Sequence, residues 1–207
     1  MSTTRLSAEE RREQLLEAAM GLVAQRGFDA TPTLAIAKAA GISHAYLFRL
    51  FPSKEDLAVA LVGRCNARIL ERFDHAASTA RARGEDPFAA MGAAYGELLV
   101  ERDVILVQLH AYAASPTHPE IRSAMRASFR ELVELVARTT GAPDDEVRTF
   151  FAQGMLMNVT AALDLHEVDA PYARTLTASH AADDPTCGSP PAPATERHPA
   201  TDRHPTS

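Results

Sequence analysis

Along most of the chain apolar positions return at intervals of three and four residues, the signature of amphipathic helices rather than strands. Ser7 followed by Glu10 makes a capping-box pattern. The helix it opens carries Leu15, Ala19, Leu22 and Val23 on one stripe as far as Gly27, after which Phe28 turns inward. From Thr31 the period shortens into two small units. Thr31 can cap a helix through its side-chain oxygen, with Pro32 in the first helical position and Ile36, Ala37 and Ala40 on one face. Gly41 then supplies a left-handed stop, Ile42 plugs the turn, and Ser43 caps the next helix two residues later. Leu47 and Phe51 face a small core, which leaves His44, Ala45, Tyr46 and Arg49 on outer faces. Phe51-Pro52 ends that helix, because the residue before a proline is pushed away from helical geometry. Two short helices around a tight glycine turn read as a DNA-binding helix-turn-helix.

Ser53 caps a longer helix in which Leu57, Leu61, Cys65, Ile69 and Phe73 repeat every fourth residue towards Arg83 and Gly84. Lys54 sits in its first turn, where a cation opposes the helix dipole; a phosphate partner accounts for it better than helix stability. Pro87 starts a helix with Met91, Tyr95, Leu98 and Leu99, and Asp103 is placed to cap the apolar stretch from Val104 to Ala114. After the break at Ser115 to Pro119, Ile121, Met125, Phe129, Leu132, Val133 and Val136 form one face up to Gly141. Asp144 and Asp145 favour the next helix start. Val147, Phe150, Phe151, Met155, Met157 and Val159 then cover more than one face, which calls for two partners: the rest of the body and a second subunit. A short helix is expected from Val168 to about Ser179, and residues 181–207 read as a disordered tail. No internal repeat is visible.

Composition sharpens this to an all-α protein. The 207 residues are 46% hydrophobic but only 6% aromatic, without tryptophan, and rich in helix-favouring Ala, Leu, Arg and Glu. Cys65 and Cys187 stand far apart and outside any metal or redox spacing, as in a reduced, intracellular chain. A charged segment from Arg5 to Gln14 opens the chain in place of a secretory signal, and no apolar run reaches membrane-spanning length, so a cytoplasmic location without membrane contact is expected. The net charge of -6 argues against nucleic acid only as a sum. Residues 1–54 hold seven Lys or Arg and five acids, an excess of +2; the other fourteen bases and twenty-two acids make the remainder -8. A weakly basic head on an acidic body fits a DNA-binding protein kept from sticking indiscriminately to phosphate.

The segments Gly27-Phe28, Ile36-Ala37-Lys38-Ala39-Ala40-Gly41-Ile42-Ser43 and Leu47-Phe48-Arg49-Leu50-Phe51-Pro52-Ser53-Lys54-Glu55-Asp56-Leu57 resemble the tetracycline-repressor (TetR) family of bacterial transcription regulators. The resemblance is strongest over residues 8–62. It implies a three-helix DNA-binding head over 1–52, a larger helical ligand-binding and dimerisation domain over 53–180, and a homodimer that places two recognition helices in successive major grooves of a near-palindromic DNA operator. It further implies phosphate-facing roles for Thr31, Thr33 and Ser43, a recognition surface of His44, Ala45, Tyr46 and Arg49, and a backbone clamp at Lys54. Phe48 stands where the family commonly has tyrosine, and Leu50 where a polar or aromatic residue is usual.

In the body, Met91, Tyr95, Gln108, His110, Tyr112 and Asn158 are set among apolar positions, as in a mostly apolar pocket with a few polar anchors for an unidentified small-molecule effector. The histidines, including His118, His166, His180, His198 and His204, show no metal-ligand spacing, and no phosphate loop or nucleophile motif is present, so neither a metal, a cofactor nor an enzyme is expected. Two alternatives remain beside a regulator: a small-molecule-binding protein of the same lineage without specific DNA binding, and a helical enzyme.

Overall fold

The computed structural model describes residues 7–178, and all the regular structure among them is helical. The sequence expectations for Arg5 and for the tail from residue 181 lie outside the described residues. Helix α1 spans Ala8–Arg26, α2 Thr33–Ala39, α3 His44–Leu50, α4 Lys54–Arg83, α5 Pro87–Leu98, α6 Arg102–Ala114, α7 Pro119–Thr140, α8 Asp144–Ala162 and α9 Pro171–Thr177.

Most helix starts arise as their sequences predict. Ser7 and Glu10 form both halves of a capping box at α1, Ser43 caps α3, and Ser53 with Asp56 forms a second capping box at α4. Three starts differ. The first helical residue of α2 is Thr33, with Pro32 flanking it and no side-chain cap, because Thr31 is drawn into the core instead. Asp103 lies inside the first turn of α6, which is flanked by Glu101, where its charge still favours the dipole. The segment from Val168 divides: a 3₁₀ turn at Leu165–Glu167 comes first, and α9 follows only from Pro171.

One hydrophobic core runs through residues from Leu15 in α1 to Val147 in α8. Leu57, Leu61, Cys65, Ile69 and Phe73 are all buried in α4, so its fourfold spacing is the inner face of the central helix. At 30 residues, α4 is about 45 Å long, starts beside α3 and packs along α5 and α7. The expected boundary between residues 52 and 53 falls in the short connection between α3 and α4. Helix α1 packs lengthwise on α6, so the amino-terminal helices rest on the body at two places, through α4 and through α6.

Candidate functional site

The α2–turn–α3 unit is built from local rules and held by three buried side chains. Gly41 has φ +67°, a conformation an L side chain adopts only with strain, and this lets Ile42 N–H donate back to Ala37 O at 3.0 Å. Ser43 Oγ accepts from Tyr46 N–H at 3.2 Å and starts α3. Leu47 and Phe51 are buried against α1 and α2 residues of the core, as their spacing requires, together with Ile36. Burial of each contributes about 1.5–3 kcal/mol.

With that face inward, the opposite face of α3 is exposed. His44, Ala45 and Arg49 are solvent-facing, Tyr46 is half-buried, and Lys38 is exposed on α2. The Arg49 guanidinium carbon lies 5.7 Å from the Tyr46 ring centroid, so the two side chains act as a stacked pair rather than as separate groups. Thr33 Oγ1 is 2.8 Å from His44 Nε2, bridging α2 and α3. Two apolar side chains belong to the same exterior: Leu34 is 62% and Phe48 38% exposed. Leu50 is half-buried and packs on the core, which agrees with its apolar character.

Thr31 requires a correction. It is buried, its hydroxyl donates to Gly27 O at 2.7 Å, and it faces neither the start of α2 nor solvent. Its function is to close the α1–α2 connection. Lys54 also has an internal partner, since Nζ donates one of its hydrogens to Asp29 O at 3.0 Å, which leaves two donors of the ammonium for other acceptors. The same Asp29 pairs through its carboxylate with His118 Nε2 at 2.9 Å. The α1–α2 connection is therefore gripped from α4 and from the residue preceding α7.

The body candidates separate into two groups. Tyr95, Gln108 and Asn158 converge in the core: the Tyr95 hydroxyl lies 2.7 Å from Asn158 Oδ1 and 3.3 Å from Gln108 Oε1. One hydroxyl hydrogen serves one of these oxygens, leaving the other amide for a different partner. Burial pushes the Tyr95 hydroxyl well above its ordinary pKa, against a smaller opposing effect of the Asn158 hydrogen bond, so it is a neutral donor. Met91 is fully buried one turn earlier on α5. Around them Phe73, Phe88, Phe150 and Phe151 form edge and tilted ring contacts, with Phe73 5.9 Å from Tyr95. Tyr112 stacks near Phe129 at 6.0 Å, and burial pushes its hydroxyl up to about 12. His110, by contrast, points away from this cluster. Its Nε2 is 3.2 Å from Ala24 O, and a Cβ on Gly27 would meet its ring at 3.2 Å, so it packs the joint between α1 and α6.

Sequence reasoning missed a ladder of charges on α4. Arg64 pairs with Glu13 and Glu17, Arg68 with Glu17 and Glu101, and Arg72 with Glu101. The signal was present as three arginines at i, i+4 and i+8, but their partners lie on α1 and before α6. Beside the ladder is an open groove of about 740 Å³, lined by Arg68, Arg72, His75 and Glu101 among others. Among the described residues no helix is long and apolar enough to cross a membrane.

Residues 15–61 match the family model described as bacterial regulatory proteins, tetR family. The transcriptional repressor KstR of Mycobacterium tuberculosis is 32% identical over 101 residues, which are 48% of this chain and 44% of that protein. The chain thus spans about half the length of the curated relatives it matches. A TetR-like transcriptional regulator from Rhodococcus sp. RHA1 is similar in structure, with a TM-score of 0.59 at 25% identity, covering 83% of this chain and 93% of that one. The transcriptional regulator FadR of Bacillus subtilis, solved in complex with stearoyl-CoA, has the same fold at 15% identity and a TM-score of 0.60, over 79% of this chain and 94% of its own.

Proposed function

We propose that this chain, a member of the TetR family of bacterial regulatory proteins, is a ligand-responsive transcriptional repressor that binds a near-palindromic operator as a homodimer. The observation that carries this reading is the exterior of α3: a cap at Ser43, a stacked Tyr46–Arg49 pair and exposed His44 and Ala45, all on a helix whose other face is buried. Such a helix fits a major groove, with Arg49 as the base-reading group and Ser43 O–H and Lys54 at the phosphates.

The second subunit docks on α7 and α8. Leu156 and Val159 are 42% and 44% exposed along α8, Leu163 directly after it is 61% exposed, and Val133 is 38% exposed on α7. These are apolar positions on the faces turned away from the core, and pairing them in a four-helix interface removes them from water. Two copies related by a twofold axis then present two α3 helices to one duplex.

The effector enters the body at the Tyr95–Gln108–Asn158 cluster, where aromatic walls surround three neutral polar groups. The cluster is closed, so occupation parts α5 from α8 and displaces α4 and α6, which bear on both. The amino-terminal helices follow because α4 is tied to α1 through Arg64 and Arg68, and α6 through His110. An effector weakens DNA binding to the extent that it prefers the displaced arrangement. Selection of bound fragments from random duplex DNA by the purified full chain tests the reading. An enriched inverted repeat is expected; a dimer with no sequence preference at moderate salt refutes it.

A further inference from the structure

Thr33 and His44 stand at the first positions of α2 and α3, and the Gly41 turn brings Thr33 Oγ1 to 2.8 Å from His44 Nε2. The imidazole also meets Phe48, one turn along α3, edge to face, with ring centroids 5.0 Å apart and planes at 67°. An exposed imidazole held by neither contact samples several rotamers. Here one contact holds a ring nitrogen and the other holds the ring plane. With Nε2 occupied, Nδ1 is the nitrogen with no partner among the described residues. When the threonine hydroxyl donates to Nε2, the ring hydrogen resides on Nδ1. In the imidazolium form Nδ1 carries a hydrogen as well, with the hydroxyl then accepting.

Resting on the DNA-binding reading above, the geometry points to Thr33 as a positioning residue for sequence recognition: it holds His44 so that Nδ1–H is a fixed donor to a purine N7 in the major groove. The first residues of a recognition helix reach base edges, and N7 is the acceptor that both purines present there. A hydroxyl engaged with His44 acts through that side chain instead of gripping a phosphate. Phe48 completes the arrangement without a hydroxyl of its own, since contact with its ring is what limits the imidazole.

The test is fragment selection with the full-length chain and its Thr33→Val, Thr33→Ser and His44→Ala variants, followed by titration of the selected duplex carrying 7-deazapurine at individual positions. His44→Ala and Thr33→Val are expected to lose preference at the same position of each half-site, by about 5-fold or more, the low end of the cost of one mismatched base pair. Thr33→Ser retains the hydroxyl and is expected to retain the preference. Replacing N7 by carbon at that position should weaken the parent chain to a similar degree and leave His44→Ala indifferent. The inference is overturned if Thr33→Val keeps the parent preference, if it weakens all sequences equally with a lower salt slope, as loss of a phosphate contact does, or if 7-deazapurine has no effect. Failure of the parent chain to enrich any sequence is a different result, and it removes the DNA-binding reading itself.

Discussion

Arg12 of α1 reaches the end of α3: its Nη1 donates to Leu50 O at 3.0 Å, and its guanidinium carbon lies 4.0 Å from the centre of the Phe51 ring. A cation at a helix carboxyl terminus satisfies a free carbonyl and favours the dipole, so Arg12 sets the attitude of α3 against α1. Arg12→Ala is expected to destabilise the fold by about 1–2 kcal/mol, from loss of a charge-assisted hydrogen bond and a ring contact. Urea denaturation measures it. Arg12→Lys should recover only part of the loss, because an ammonium lacks the flat face that covers Phe51.

Arg49 and Lys54 should fail in different ways. Arg49→Ala is expected to reduce discrimination between operator and unrelated DNA by about 1–3 kcal/mol, whereas Lys54→Ala lowers binding to all sequences and reduces the salt slope by about one. Binding titrations at several salt concentrations separate them. Tyr46→Phe keeps the ring beside Arg49 and should cost little, while Tyr46→Ala should resemble a mild Arg49→Ala.

Tyr95→Phe removes the hydroxyl that lies between Gln108 and Asn158. The buried amide oxygen that accepts its hydrogen is left short of a donor, at a cost of about 1–3 kcal/mol, readable as a lower melting temperature. Operator binding without effector should persist. Release by effector should weaken, and a Tyr95→Phe protein that is released as readily as the parent would place the effector site elsewhere.

Stability should decline in alkali as two acids, Cys65 and Tyr112, ionise. Burial holds the Cys65 thiol at about 12 against an ordinary 9.0, and the Tyr112 hydroxyl at about 12 against 10.0. Between those values the unfolded chain releases protons that the folded chain keeps, so ionisation favours unfolding. The contribution of both groups is intact below about pH 9 and is lost as pH rises towards about 12. Denaturation midpoints at intervals from pH 8 upward should show the decline, and Cys65→Ala should flatten its first part.

The helices and the exposed face of α3 were legible because their signals are local. A fourfold apolar spacing in α4, a Gly41 stop and the Ser7, Ser43 and Ser53 caps each depend on neighbours within one or two turns. Thr31 was misread for the same reason. Its sequence neighbourhood is that of a cap, yet the carbonyl of Gly27 at 2.7 Å and the closing core claim its hydroxyl first. His110 looked like a pocket residue beside Gln108, but two positions on a helix are about 200° apart, so one faces the polar cluster and the other faces α1.

Periodicity, caps and glycine stops were enough to establish an all-helical chain with a helix-turn-helix near its start and polar residues on the outer face of α3, since each follows from the geometry of a few consecutive residues. Long-range packing assigned the partners: Thr33 to His44, Arg12 to Leu50, Lys54 and His118 to Asp29, and the α4 arginines to acids on α1 and before α6. These pairs join residues on different elements, and no local pattern encodes which surfaces meet when helices settle against one another to bury their apolar faces.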